Sequence, residues 1–159
     1  EHPVKQFGPQ FDLEWTFPRP GMYRLMCDYF PMGATPQLTV QTVFVADGPG
    51  QPVIPPPSNT KVTLSTEPAA PVAGMRTQLH FKLNPADGVV PWLGAWGHIL
   101  VASEDLVDLI HTHPFIAEGN DEMQFNVIFP RAGKYRMWVQ FERQKLVNTA
   151  IFSVDVTAL

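Results

Sequence analysis

Apolar side chains recur at every second position along most of this sequence, and no segment keeps the 3.6-residue period of a helix. The alternation is clear from Phe11 to Phe17, from Met75 to Leu83 and from Met123 to Phe129. Successive side chains of a strand point to opposite faces, so this period indicates strands with one buried face. We therefore predict an all-β fold.

An internal repeat indicates how these strands are organised. Residues 17–24 and 129–136 share the pattern Phe-Pro-Arg-x-Gly-x-Tyr-Arg at an offset of 112 residues. A Gly-x-Tyr at the start of a strand is typical of the tyrosine corner of a β-sandwich. We predict tandem immunoglobulin-like β-sandwiches, of which the first is incomplete, because it lacks counterparts of the strands before His113. We expect further chain or another surface to cover this remnant.

Composition sets the predicted boundaries. Residues 1–47 form the partial repeat, and 48–60 form a linker, since Pro55-Pro56-Pro57 favours an extended segment. Residues 61–159 form the complete immunoglobulin-like domain. In the partial repeat, Cys27 falls on the apolar face of its strand, so we expect it to be buried and unreactive.

Charge and motif content exclude several functions. Eleven basic residues against 15 acidic residues give a net charge of −4, and no basic cluster occurs, which argues against nucleic acid as a partner. No apolar run reaches the length of a transmembrane segment. Since no nucleophile elbow, phosphate loop or spaced cysteine pair is present, we predict that the protein is not an enzyme.

The most specific chemical signal is a pair of apolar segments with histidines at their open end, between Trp96 and His113. A two-residue turn at Glu104-Asp105 would join them into a hairpin. It would place His98 opposite His111, and Trp96 opposite His113. Three imidazoles would then occupy one small volume.

Two interpretations of these histidines are open. As metal ligands, His98, His111 and His113 suit copper or zinc, with Met123 as a fourth ligand if the ion is Cu(I). As structural residues, they would close the rim of the sandwich core, pack on Trp92 and Trp96 and bond to the backbone.

An interaction surface is a third possibility. Trp138 and Arg136 fall on the strand face opposite the apolar core residues, and Met26 is the equivalent of Trp138 in the first repeat. An outward tryptophan beside an arginine is a common interface anchor, although the other repeat could also cover it. His80, on a polar strand face, is expected to be solvated.

Three motifs together resemble a known family. They are Leu-Gly-Ala-Trp-Gly-His at 93–98, His-Thr-His-Pro at 111–114 and Phe-Pro-x-x-Gly-x-Tyr-Arg-x-Trp-x-Gln-Phe at 129–141. Residues 61–157 resemble a bacterial extracytoplasmic β-sandwich family, loosely similar to YtkA-like and FixH-like domains. The resemblance implies an immunoglobulin-like fold, a periplasmic or secreted location and no known catalytic activity. Its Gly-His and His-x-His-Pro positions coincide with the three histidines, and its copper-handling context favours copper over zinc.

These observations predict a non-enzymatic extracytoplasmic binding protein with a three-histidine copper or zinc site. The alternative is an accessory subunit that docks on a membrane-associated protein complex through its β-sandwich surfaces.

Overall fold

A computed structural model of the chain describes residues 6–8, 10–52, 54–115 and 121–159, and the regular elements in these ranges are all β-strands. The prediction of an all-β fold is confirmed. The described strands, in chain order, are β1 (Gln6–Phe7), β2 (Gln10–Phe11), β3 (Gly21–Tyr29), β4 (Gln37–Val45), β5 (Lys61–Glu67), β6 (Arg76–Asn84), β7 (Val89–Val90), β8 (His98–Ser103), β9 (Leu109–Thr112), β10 (Glu122–Ile128), β11 (Gly133–Arg143) and β12 (Leu146–Val156).

The chain divides into two compact units, Glu1–Ile54 and Pro55–Leu159. In the first unit, β1 pairs with β2, and β3 pairs with β4 as an antiparallel hairpin. The end of the sequence-predicted linker, from Pro55 onward, belongs to the second unit. There the Ser58 hydroxyl and the Asn59 backbone N–H both donate to the side-chain oxygen of Asn148.

The second unit contains two sheets that pack face to face. One sheet has the order β5-β6-β10, and the other has the order β9-β8-β11-β12, with β7 also paired to β11. This is the distribution of strands A-B-E and C′-C-F-G in an immunoglobulin-like sandwich. Both sheets contribute to one core, whose buried residues are Leu79, Phe81, Leu83, Ile99, Val101, Met123, Phe125, Val127, Phe129, Tyr135, Met137, Val139, Phe141 and Val156.

Two sequence predictions fail in the first unit for the same reason. The strand predicted from Phe11 to Phe17 ends at Phe11, and Cys27 is exposed rather than buried. In the second unit the corresponding segment, β10, pairs with β6, whereas the described part of the first unit has no counterpart of β6. Alternation alone does not make a strand without a partner edge. The predicted tandem of sandwiches, one of them incomplete, stays a prediction.

The two copies of the repeat nevertheless contain the same type of hydrogen bond. The Tyr135 hydroxyl donates to the Arg131 carbonyl four residues upstream at 3.0 Å, and the Tyr23 hydroxyl donates to the Arg19 carbonyl at 2.7 Å. Both tyrosines lie two residues after a glycine that starts the strand. The tyrosine corner predicted from Gly-x-Tyr is present in both units.

The turn between β8 and β9 differs from its prediction. The Ser103 N–H donates to the Asp108 carbonyl at 3.1 Å, so the loop contains residues 104–107 rather than the two acidic residues alone. The Ser103 side chain organises this loop. Its hydroxyl donates to Asp105 Oδ1 at 2.6 Å and accepts the N–H groups of Val107 and Asp108. A serine that satisfies two loop amides favours this four-residue turn over a tight one.

Arg131 ties this loop to the tyrosine corner. Its guanidinium forms a bidentate pair with Asp105 at 3.0–3.1 Å, and its Nε donates to Asp108 Oδ2 at 3.0 Å. The Tyr135 hydroxyl also lies 3.0 Å from Asp108 Oδ2. We call this set of side chains, Ser103, Asp105, Asp108, Arg131 and Tyr135, the Arg131 latch. It connects the β8–β9 loop with the start of β11.

Substitution Tyr135→Phe should destabilise the second unit. The change keeps the buried ring but removes the single hydroxyl proton that the Arg131 carbonyl and the Asp108 carboxylate share, and such a loss typically costs about 1–3 kcal/mol. The matched control is Tyr23→Phe, which removes the same bond at a solvent-accessible site and should cost under about 0.5 kcal/mol. Urea unfolding of both variants measures the difference, and equal costs would contradict the role given to the latch.

Acid should weaken the latch. The Ser103 hydroxyl, the Val107 N–H and Arg131 hold the pKa of Asp105 below its usual value of 3.8. A carboxyl with a lowered folded-state pKa stabilises the fold above its unfolded pKa, and this contribution is lost as the pH falls through the folded value. Asp105→Asn should therefore flatten the decline of the urea midpoint below pH 4. Glu104→Gln, a charge-matched change in the same loop, should leave that decline steep.

Candidate metal centre

The three histidines lie on the outer face of the β9-β8-β11-β12 sheet. On β8, Ile99 and Val101 point into the core, so the alternation places His98 and Leu100 on the opposite face. On β9, Ile110 packs against the core, which puts His111 on the outer face as well. The three histidines therefore lie on the sheet face away from the core and not at its rim. The rest of the structural interpretation agrees with His98, which is buried, bonds to the Trp92 backbone carbonyl and packs on the Trp92 ring.

The pairing of the two strands differs from the predicted one by two residues. Leu100 is opposite His111 and Ile99 is opposite Thr112, so the next step places His98 across from His113. The predicted opposition of His98 to His111, and of Trp96 to His113, is wrong because the loop is longer than a two-residue turn. A shift of two residues keeps every side chain on its face, and the clustering of the histidines survives.

The structure brings the three imidazoles together. The ring centroids are 4.6 Å apart for His98 and His113, 5.3 Å for His111 and His113, and 5.8 Å for His98 and His111. Each ring offers one nitrogen, and these three atoms lie within 4.8 Å of one another. Bonds of about 2.0–2.1 Å to a common tetrahedral ion bring ligand atoms to roughly 3.3 Å. Modest side-chain rotation would close the remaining gap.

His98 is the anchored member of the cluster. Its side chain is 6% exposed, and its Nε2–H donates to the Trp92 carbonyl at 3.0 Å. The Trp92 ring meets the imidazole edge to face at 5.4 Å. A carbonyl can only accept, so in the neutral ring the proton is on Nε2 and the lone pair is on Nδ1. The backbone thereby selects which nitrogen of His98 can ligate.

Burial also keeps His98 neutral. Desolvation lowers its pKa below the usual 6.5, and the nearby His111 lowers it further, against an opposing effect of the Trp92 carbonyl. Metal ligation requires the neutral imidazole, so this environment favours ligation at physiological pH. His111 and His113 are exposed and accessible from solvent.

Sequence reasoning missed two local features that position His98. Trp92 and Ala95 exchange two backbone hydrogen bonds, at 2.7 and 3.1 Å, in a tight turn that presents the Trp92 carbonyl to the ring. At Gly97, an added Cβ would lie 2.7 Å from the Met123 sulfur and 3.3 Å from the Gln140 carbonyl oxygen. A glycine directly before the histidine was the available signal for this close approach.

Met123 does not share the histidine face. It is 1% exposed and belongs to the core between the two sheets. The suggestion that it is the fourth ligand therefore lacks support from its position.

Two of the three residues proposed for interaction, Trp138 and Arg136, lie in the second unit on the sheet that carries the histidines. Trp138 is opposite Leu100 on β8 and Ile151 on β12, on the outer face. The Arg136 guanidinium lies 5.6 Å from the centre of the Trp138 ring, a cation–π distance. Met26 belongs to the other unit, on β3, opposite Val40.

His80 was expected to be solvated, and this is wrong. Its Nδ1 lies 2.7 Å from Glu122 Oε1, across the β6–β10 pair. This histidine is on the other sheet from the three clustered histidines, so it provides an internal comparison for them.

The second unit matches a known protein family. Residues 57–158 match a family described as Domain of unknown function (DUF8832). The chain belongs to this family. No curated protein matches the chain significantly. The DUF8832 domain thus contains the whole histidine cluster and the Arg131 latch, and the likeness to YtkA-like and FixH-like domains stays a prediction. Among the described residues, no helix is long and apolar enough to cross a membrane.

The tautomer of His98 can be measured directly. In long-range ¹H–¹⁵N NMR spectra at pH 7.5, the neutral His98 ring of the DUF8832 domain should show a protonated Nε2 and an unprotonated Nδ1, because the Trp92 carbonyl needs a donor. A ring protonated at Nδ1 would contradict the arrangement.

Proposed function

We propose that this chain is a non-enzymatic binding protein that holds a copper or zinc ion through His98, His111 and His113. The observation that carries the proposal is the meeting of three ring nitrogens within 4.8 Å on one sheet face. The anchoring of His98 by the Trp92 carbonyl supports it, because a hydrogen bond to the other ring nitrogen is the usual way proteins orient a ligating histidine.

Copper is the preferred ion. Imidazole nitrogens suit both copper and zinc, but for a given set of nitrogen ligands the divalent affinity peaks at Cu²⁺. Zinc fits the same three ligands with a fourth position for water. Which of the two is bound in the cell also depends on metal availability.

Binding rather than catalysis fits the immediate surroundings of the cluster. The described neighbours on this face are Gln140, which is opposite His98, Leu100, which is opposite His111, and the Trp92 ring against His98. Such neighbours shield and orient ligands but do not transfer protons. A periplasmic or secreted location is part of the proposal and derives from the resemblance of the Gly-His and His-x-His-Pro motifs.

A second candidate function is an accessory subunit that docks on a membrane-associated protein complex. The observation that favours it is Trp138 on the outer face, with Arg136 over its ring and Ile151 beside it at 41% exposure. Aromatic and arginine side chains are enriched at protein interfaces. Absence of bound metal together with a stable partner whose binding needs Trp138 would favour this function over the first.

Metal analysis of the purified chain tests the first proposal. We expect one Cu²⁺ per chain by equilibrium dialysis. The double substitution His98→Ala plus His111→Ala should abolish stoichiometric binding, because a single remaining imidazole cannot chelate. Each single substitution should weaken binding by more than the roughly 10- to 100-fold typical of losing a supporting residue.

The matched control is His80→Ala, which removes a histidine from the other sheet and should leave the stoichiometry at one. Loss of copper in this control, or its retention in the double variant, would overturn the assignment of the ligands.

A further inference from the structure

We propose that the metal held by the three histidines keeps one coordination position open for an imidazole presented from outside the domain, and that Trp138 forms the contact surface for that ring. This inference rests on the proposed function and extends it to the ligand.

The number of donors leaves a position open. Among the histidine, cysteine, aspartate and glutamate side chains that the structure describes, this cluster contains His98, His111 and His113. Structural zinc sites are closed by four protein ligands, whereas sites with three protein ligands accept an exchangeable fourth. Cu²⁺ likewise accepts at least one further nitrogen beyond three imidazoles.

The open position faces outward. His98 is buried against Trp92, while His111 and His113 are exposed on the same side of the sheet. An ion among the three rings is therefore covered by the sheet on one side and accessible from solvent on the other. A ligand must approach over the outer face of β8 and β11.

Trp138 lies on that approach. It is opposite Leu100, which in turn is opposite His111, so these three side chains form one row across β11, β8 and β9. His98 is opposite Gln140, and Trp138 lies two residues before Gln140 on the same strand, so Trp138 is a diagonal neighbour of His98. Diagonal neighbours on paired strands are about 7–8 Å apart, a distance that large aromatic side chains bridge.

The surface next to the open position selects a flat, neutral ring with a nitrogen donor. Leu100 and Trp138 present apolar and aromatic area, the uncharged Gln140 lies opposite His98, and the Arg136 guanidinium lies 5.6 Å from the Trp138 ring centre. An imidazole can bond to the ion through one nitrogen and pack its ring on Trp138. Azide has a nitrogen donor of similar size but no ring to pack, so it reports on the open position alone.

The experiment uses the full chain loaded with one equivalent of Cu²⁺, followed by EPR and visible absorption during titration with 4-methylimidazole or azide. We expect both ligands to change the copper spectrum of the unaltered protein. Trp138→Ala should weaken the binding of 4-methylimidazole by about 2- to 10-fold, the range typical of one aromatic contact, and leave the affinity for azide unchanged. Trp138→Phe, which keeps an aromatic ring, should retain most of the affinity.

Each outcome separates the two proposals. If the unaltered chain does not bind Cu²⁺, the proposed function and this inference both fail. If copper binds but neither ligand changes its spectrum, the open position is overturned and the three-histidine site stands. If Trp138→Ala changes the affinities for both ligands equally, or changes neither affinity, the assignment of Trp138 is overturned. Circular dichroism and urea unfolding verify that the outward-facing variants stay folded.

Discussion

The register of the β8–β9 hairpin determines where two of the three histidines lie, and the Arg131 latch holds this register. Ser103 bonds to two loop amides, and Arg131 joins both loop carboxylates to the tyrosine corner at the start of β11. An exposed ion pair alone contributes little, but here the carboxylate of Asp108 also meets the largely buried Tyr135. One end of the hairpin is thus tied to the core, and the other carries the imidazoles.

The two faces of the same sheet serve different purposes. Residues such as Val101 and Val139 close the core, while Leu100 and Trp138, one position away along the same strands, form the outer surface beside the cluster. Leu100, Trp138 and Ile151 form an apolar row on this outer face. This arrangement explains why the candidate metal centre and the candidate interaction surface are neighbours.

The sequence was sufficient to predict the strands and the histidine cluster but not the pairing. Alternation correctly predicted β6, β10 and β11, because each of these strands pairs with a neighbour and faces the core. Phe11–Phe17 has the same alternation, but the described part of the first unit offers no strand for the whole segment to pair with. The tight turn at Glu104-Asp105 was predicted wrongly because the hydroxyl of Ser103 and a distant arginine decide the loop length. Packing of the histidines on Trp92 was predicted, but the hydrogen bond of His98 to the Trp92 carbonyl could not be assigned, since any backbone carbonyl can accept it.

The shift of two residues between the predicted and observed pairing has a consequence for variation among relatives. Strand faces alternate with a period of two, so the cluster depends on the parity of the β8–β9 pairing. A slip of this pairing by two residues keeps His111 and His113 on the outer side, whereas a slip by one residue would turn both imidazoles toward the interior. Relatives that retain the three histidines should therefore accommodate an odd insertion within the loop itself and keep the strand pairing unchanged.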